Sequence, residues 1–260
     1  MHKSDLVQKH GGVRTWKFKQ SDFEVWKQYR SAGICGALSA FWIRAHASGG
    51  SLVNELGGGD SQYGNTGARK QLNTGLLKEI TFYHKIFSAG DGDNQAQGFG
   101  TWLSHHGIET LRYSKTKVTS TFRGPVAQSL HGKQHANSGL VPADEADPLI
   151  EENIINKGMM LYSDCYARIN FSGSFLGRPA GHCVAAWLGL RAGGDVAFFD
   201  PNFGEFWFPR RDNFNRFFRE YYKTTYRRFP TNFTKDWEVI PCAPRVRMRN
   251  GGHITRLKAA

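Results

Sequence analysis

The apolar periodicity of this 260-residue chain changes near residue 156, and that change restricts the fold more than any other feature. Before it, apolar residues recur three and four apart, the period of a helix with one buried face. Leu38, Phe41, Trp42 and Ala45 do so across Cys35–Ala47, which follows the turn-forming Ser31-Ala32-Gly33. Leu76, Leu77, Ile80, Tyr83 and Phe87 do so across Thr74–Ser88, and a shorter helix is expected over Gln95–His106. Gly49–Gly67 reads as a glycine-rich loop, and the pattern is weak between Lys115 and Ala143. Asp144–Asn156 reads as a helix, acidic at its start and closed by Gly158. Beyond it, Met159–Phe171, His182–Arg191, Asp195–Asp200 and Phe203–Phe208 read as strands joined by glycine-containing turns. The turn Ala192-Gly193-Gly194-Asp195 is a good hairpin signal, because glycine accepts the positive φ of a tight turn. A helix at about Asp212–Tyr226 and a short strand at Asp236–Ile240 follow. Helices first and antiparallel strands afterwards specify an α+β fold.

Composition narrows the function classes. Hydrophobic residues at 40% and aromatics at 13% supply a core and exclude global disorder. No apolar run approaches the ~18 residues of a membrane-spanning helix. Met1–Gln20 is polar and lacks the apolar segment of a secretory signal peptide. The four cysteines, at 35, 165, 183 and 242, form no CxxC pair, so reduced thiols are expected rather than disulfides or a zinc ribbon. His105, His106, His131 and His135 invite a metal reading, but no carboxylate or cysteine stands at ligand spacing, and no metal or cofactor is expected.

Three residues carry the chemistry. Cys35 lies in Gly33-Ile34-Cys35-Gly36-Ala37-Leu38, where the first helix starts, and a helix N-terminus favours a thiolate. Its small neighbours Gly33 and Gly36 would let a substrate backbone approach the sulfur. His182 opens a strand in Gly181-His182-Cys183-Val184, placed to reach a cleft. Asp200 ends the apolar strand Val196-Ala197-Phe198-Phe199 and can sit beside His182 on the neighbouring strand, holding the imidazole's tautomer and orientation. Alone, each has a plain alternative: a small buried thiol, an ordinary histidine, an aspartate starting a turn before Pro-Asn. Together they follow the order of a papain-like thiol enzyme.

At these residues the chain resembles a known family. Gly33-Ile-Cys35-Gly-Ala-Leu-Ser-Ala-Phe-Trp42-Ile, Gly181-His182-Cys-Val-Ala-Ala and Phe199-Asp200-Pro-Asn-Phe-Gly-Glu-Phe206 look like the three motifs of the YopT-type bacterial effector cysteine peptidases. The resemblance implies a papain-like fold, with Cys35 as nucleophile, His182 as base and Asp200 as orienter. It also implies a protein substrate in a target cell, reached by a specialised bacterial secretion system without a cleaved signal peptide. For the oxyanion, papain-like enzymes pair the cysteine's own N–H with an upstream side-chain amide, for which Gln28 is the nearest candidate. A glutamine deamidase or transglutaminase would use the same triad. A basic binding module without catalysis is the reading from another class.

The formal charge is +12, and residues 201–260 hold 13 Lys+Arg against 5 Asp+Glu. Arg210–Arg228 mixes basic residues with Phe214, Phe217, Phe218, Tyr221, Tyr222 and Tyr226, a composition that nucleic-acid binders share. The favoured reading is an amphipathic helix with its aromatics inward and its arginines solvated, which speaks against nucleic acid. The expected organisation is a polar segment over 1–24, a catalytic domain over 25–244 and a basic tail over 245–260, the last suited to an anionic membrane surface.

Overall fold

The strands expected after residue 156 form the middle of a larger sheet. The structure, a computed structural model, describes residues 3–22, 25–27, 33–57, 60–61, 71–88, 92–110, 150–190 and 193–245. Four antiparallel strands join in order: β4 (Cys165–Phe175), β5 (Arg178–Leu188), β6 (Val196–Asp200) and β7 (Gly204–Phe208). β1 (Val13–Lys17) adds to β7 and β2 (Asp60–Ser61) to β1 on one side. β8 (Thr231–Pro244) adds to β4 and β3 (Ile108–Thr110) to β8 on the other, giving the order β2-β1-β7-β6-β5-β4-β8-β3.

Helices cover both faces of this sheet. On one face lie α2 (Cys35–Ala47), the short α3 (Leu52–Leu56), α4 (Thr74–Ser88) and α5 (Gly92–His105), packed through Leu38, Phe41, Trp42, Leu77, Ile80 and Phe99. On the other lie α1 (Lys3–Lys9), the turns from α6 (Ile150–Asn153) to Leu161, and α7 (Arg211–Thr225). The alternation along β4 shows the division: Ala167, Ile169 and Phe171 join the α7 side, whereas Tyr166 joins the α2 side.

The two periodic segments Cys35–Ala47 and Thr74–Ser88 are helices with those bounds. Other expectations shift. The helix expected from Gln95 begins at Gly92. The loop expected over 49–67 holds α3 and β2, although much of it lies outside the described residues, as does all of 111–149. The helix expected to Asn156 widens into a π-helical turn, Ile154–Gly158. β5 begins four residues before His182, and β8 runs well beyond Asp236–Ile240 at both ends. The segment 1–24, set apart by its polarity, contributes α1, whose Leu6 and Val7 are buried, and β1, whose Trp16 is buried; the fold therefore begins upstream of residue 25.

α7 explains the basic–aromatic stretch. Phe214, Phe217, Phe218, Tyr221 and Tyr222 are buried against the sheet at helical spacing. Several of its cations have partners within the chain: buried Arg211 donates to the carbonyls of Tyr162 and Gly189, and Arg219 bonds Glu152. The inward-aromatic reading therefore describes this helix.

The turn that closes β6 onto β7 needs its glycine. Gly204 has φ of 105°, and a Cβ there would stand 1.9 Å from the Trp16 carbonyl of β1. Only glycine fits both the dihedral and the approach. Gly204→Ala is expected to cost about 2 kcal/mol or more, seen as a fall of roughly 4–8 °C in melting temperature; an unchanged melting curve would contradict this account of the turn.

Candidate active site

Cys35 opens α2, where the first backbone N–H groups have no intrahelical acceptor and favour a negative charge. Ile34 at the N-cap has no capping side chain; its N–H is instead held at 3.0 Å by Oε1 of buried Gln20. Gly33, with φ of 140°, turns the chain into the helix in a conformation that residues bearing a Cβ rarely adopt. Gly36 makes room for Phe99 of α5, whose ring would lie 3.1 Å from a Cβ at that position.

His182 and Asp200 come from strand positions on the parity of the α7 face, whereas Cys35 comes from the opposite face. They meet where the β5–β6 ladder ends, just past its last pair Ala185↔Phe199. There Nε2 of His182 and Oδ1 of Asp200 are 2.9 Å apart. With Nε2 committed to the carboxylate, the other ring nitrogen serves the hydrogen bond that links His182 to the Cys35 thiol. The imidazole is buried, with Phe171 edge-on at 5.5 Å and Tyr226 at 5.2 Å between ring centroids.

Asp200 is 0% exposed and fully engaged. Besides His182, its Oδ1 accepts the Asn202 N–H at 2.8 Å, while Oδ2 accepts the hydroxyls of Tyr221 at 2.7 Å and Tyr226 at 2.5 Å. The turn after Asp200 is tied back to the nucleophile by Gln20. Its Nε2 donates to Asn202 Oδ1 at 2.8 Å, and its N–H donates to the Pro201 carbonyl at 2.8 Å. Gln20 thus joins the Cys35 loop to the Asp200 turn through one side chain. Gln28, the upstream amide considered from spacing, lies outside the described residues.

The charges reinforce one another. Burial pushes the Cys35 thiol up, but the hydrogen bond and charge of His182, with the N–H groups of Cys183 and Gly36, outweigh it and bring the thiol below its ordinary value. Burial pushes His182 down, yet the Asp200 charge and hydrogen bond, with those of Cys35, raise it to about 10. Burial likewise opposes ionisation of Asp200, and His182, Tyr226 and Tyr221 together hold it below the usual carboxylate range. These shifts favour a thiolate–imidazolium pair backed by a carboxylate, the form suited to attack on a carbonyl. The other free thiols are buried and inert by comparison: burial raises Cys183 and Cys242 to about 12 each, and Cys165 further. Cys35 is therefore expected to alkylate at neutral pH at least about tenfold faster than the other three; peptide mapping after brief treatment with a haloacetamide checks this, and uniform labelling would contradict it.

Among the described residues no group of three His, Cys, Asp or Glu could hold a metal ion, and no helix is long and apolar enough to cross a membrane. His105 and His106 line a cleft with Tyr83, Phe87 and Trp102 instead; His131 and His135 lie outside the described residues.

Sequence reasoning placed the three central residues and missed those that hold them. Gln20 carried no signal, Asn202 stood only as a member of the third motif, and Tyr221 and Tyr226 were read only as an aromatic face.

The chain is similar to curated cysteine proteases. The cysteine protease yopT1 of Yersinia enterocolitica is 28% identical over 242 residues, covering 91% of this chain and 66% of the relative. The cysteine protease YopT of Yersinia pestis is 27% identical over 219 residues, covering 82% of this chain and 59% of the relative. This chain thus spans just under two thirds of the length of the relatives it matches. Among solved structures, the Pseudomonas avirulence protein AvrPphB aligns with a TM-score of 0.45 at 13% identity, covering 83% of this chain and 94% of that one. The helical layer bearing the thiol is followed by the antiparallel sheet bearing histidine and aspartate, the order expected from the sequence. The family model described as Yersinia/Haemophilus virulence surface antigen matches residues 4–239, nine tenths of the chain, and the chain belongs to this family, peptidase C58.

Proposed function

We propose that this protein is a cysteine peptidase in which Cys35 is the nucleophile, His182 the general base and acid, and Asp200 the residue that orients and charges His182. The observation that carries this reading is the chain of contacts from half-buried Cys35 through buried His182 to buried Asp200. The thiolate attacks the scissile carbonyl, and His182 protonates the leaving amine. Water, deprotonated by His182, then cleaves the thioester.

The oxyanion needs donors beside the attacked carbon. The backbone N–H of Cys35 supplies one; Gln28 is the second candidate by spacing, and Gln20, buried beside the helix start with its Oε1 on the Ile34 N–H, is another carboxamide near the nucleophile.

The description of the family as a virulence surface antigen supports action as a virulence factor, and a bacterial effector reaching proteins of a target cell fits it. The basic segment 245–260 remains a proposed contact for anionic membrane; apart from Arg245, which bonds Glu109, it lies outside the described residues.

The test compares target-cell proteomes exposed to the wild type and to Cys35→Ala. New peptide termini that depend on Cys35 support the peptidase. A mass gain of about one dalton on glutamine would point to deamidation through the same thioester, and crosslinks to transglutamination. Absence of any Cys35-dependent change would overturn the enzyme reading.

A further inference from the structure

Large apolar side chains are exposed at scattered sites, which is ordinary, but three of them share one place. Phe175 and Leu176 lie at the turn between β4 and β5, 45% and 58% exposed. Phe229, 83% exposed, lies in the turn between α7 and β8. The two turns are joined by backbone hydrogen bonding. Phe175 pairs with Thr231, and the Leu176 N–H donates to the Pro230 carbonyl at 2.8 Å.

Within the two turn segments the charge has one sign. Residues 173–180 and 226–235 contain Arg178, Arg227, Arg228 and Lys235 and no Asp or Glu. Arg178, Arg228 and Lys235 are exposed, whereas Arg227 is paired with Glu151 at 3.0 Å. The tip also has a fixed relation to the catalytic centre, because β5 runs directly from Arg178 to His182. Four residues of extended chain span about 13 Å.

We infer that the paired turns bearing Phe175, Leu176 and Phe229 form a docking tip for an anionic lipid bilayer, with the apolar side chains entering the interface and Arg178, Arg228 and Lys235 meeting the headgroups. Three contributing side chains are too few for a stable protein–protein interface, which takes about 20–30 residues a side. Apolar insertion combined with basic attraction is the two-signal pattern that holds a protein reversibly on an anionic surface. Docked this way, the chain carries its thiol site close to the membrane plane. The inference stands apart from the peptidase reading, since a catalytically dead protein would dock as well.

The test is co-sedimentation of the 260-residue chain with phosphatidylcholine vesicles, with and without about a quarter phosphatidylserine, at about 0.1 M salt. The wild type is expected to bind the anionic vesicles at least about tenfold more tightly than the neutral ones. Leu176→Ser/Phe229→Ser and Arg178→Glu/Arg228→Glu should each weaken anionic binding by about tenfold or more. These positions are exposed, so both variants should keep the wild-type melting temperature and Cys35 alkylation rate, which separates loss of docking from loss of fold. Failure of the wild type to bind anionic vesicles would overturn the inference. So would variants that fold and bind like the wild type, which would move any membrane contact to another basic segment.

Discussion

Asp200→Ala is expected to lower the peptidase rate by about three orders of magnitude or more, although Asp200 never touches the substrate. The carboxylate is the reason that His182 stays protonated up to about pH 10 in a buried site, and His182 is the reason that Cys35 ionises below its ordinary value. Removing it reverses both. The imidazole loses its charge under burial, the thiol regains its proton, and the rate of Cys35 alkylation at neutral pH falls with the peptidase rate. Stability falls as well, because the hydroxyls of Tyr221 and Tyr226 and the N–H of Asn202 lose a buried acceptor. Loss of a buried charged partner of this kind costs about 3–5 kcal/mol. Asp200→Asn separates the two effects, since it keeps an acceptor for His182 while removing the charge. It should retain more stability than Asp200→Ala and still lose most of the alkylation rate at neutral pH. Peptidase assays, alkylation kinetics and thermal melts on both variants check this. An alkylation rate unchanged in Asp200→Ala would remove Asp200 from the catalytic reading.

The same contacts set the pH window. Asp200 has a lowered folded-state pKa, so its contribution to stability is present above the unfolded carboxylate value and is lost as pH falls through the depressed one. His182 is raised, so its contribution is complete below the unfolded value near 6.5 and is lost as pH rises through about 10. Peptidase activity should follow a bell between the lowered Cys35 value and that upper limit.

How far the sequence led depends on what kind of force places each residue. The helices at Cys35–Ala47 and Thr74–Ser88 were legible to the residue because burial of one face imposes the 3.6-residue period. Cys35, His182 and Asp200 were legible because each sits at a visible boundary, a helix start or a strand end. β1 was hidden: Val13-Arg14-Thr15-Trp16-Lys17 is largely polar and earns its place only by pairing with β7, far along the chain. The start of β5 was hidden because Arg178-Pro179-Ala180-Gly181 has turn composition, yet pairs through to Phe175. Gln20 acts across 14 residues of chain on Ile34 and across 182 on Asn202, distances over which no local pattern survives. α7 was legible as an amphipathic helix, but periodicity registers a tyrosine ring and says nothing about where its hydroxyl points.

That last point has a measurable consequence. Tyr221 and Tyr226 donate the two hydrogen bonds received by Asp200 Oδ2, and a carboxylate at 0% exposure has no water to replace them. A hydrogen bond to a buried charge contributes about 1.5–3 kcal/mol, equivalent to about one to two pKa units. Tyr226→Phe keeps the ring that packs against His182 and Phe171 and removes only the donor. Asp200 should then hold its charge less firmly, His182 should titrate below about 10, and Cys35 should titrate higher. The activity bell should narrow from both sides, by about one unit at the alkaline limb. Tyr221→Phe should act in the same direction. Lys3 stays in place in both variants, its ammonium 4.9 Å from the Tyr221 ring centre, where its charge still favours the carboxylate. The double variant should narrow the bell further and lower the melting temperature by roughly 4 °C or more. Alkylation of Cys35 as a function of pH reads the thiolate directly and needs no peptide substrate. If the double variant melts earlier but its alkylation profile superimposes on that of the wild type, the tyrosines serve packing alone. A profile displaced to higher pH shows that α7 and its C-cap residue, through two hydroxyls, set the charge on which the Cys35–His182 pair depends.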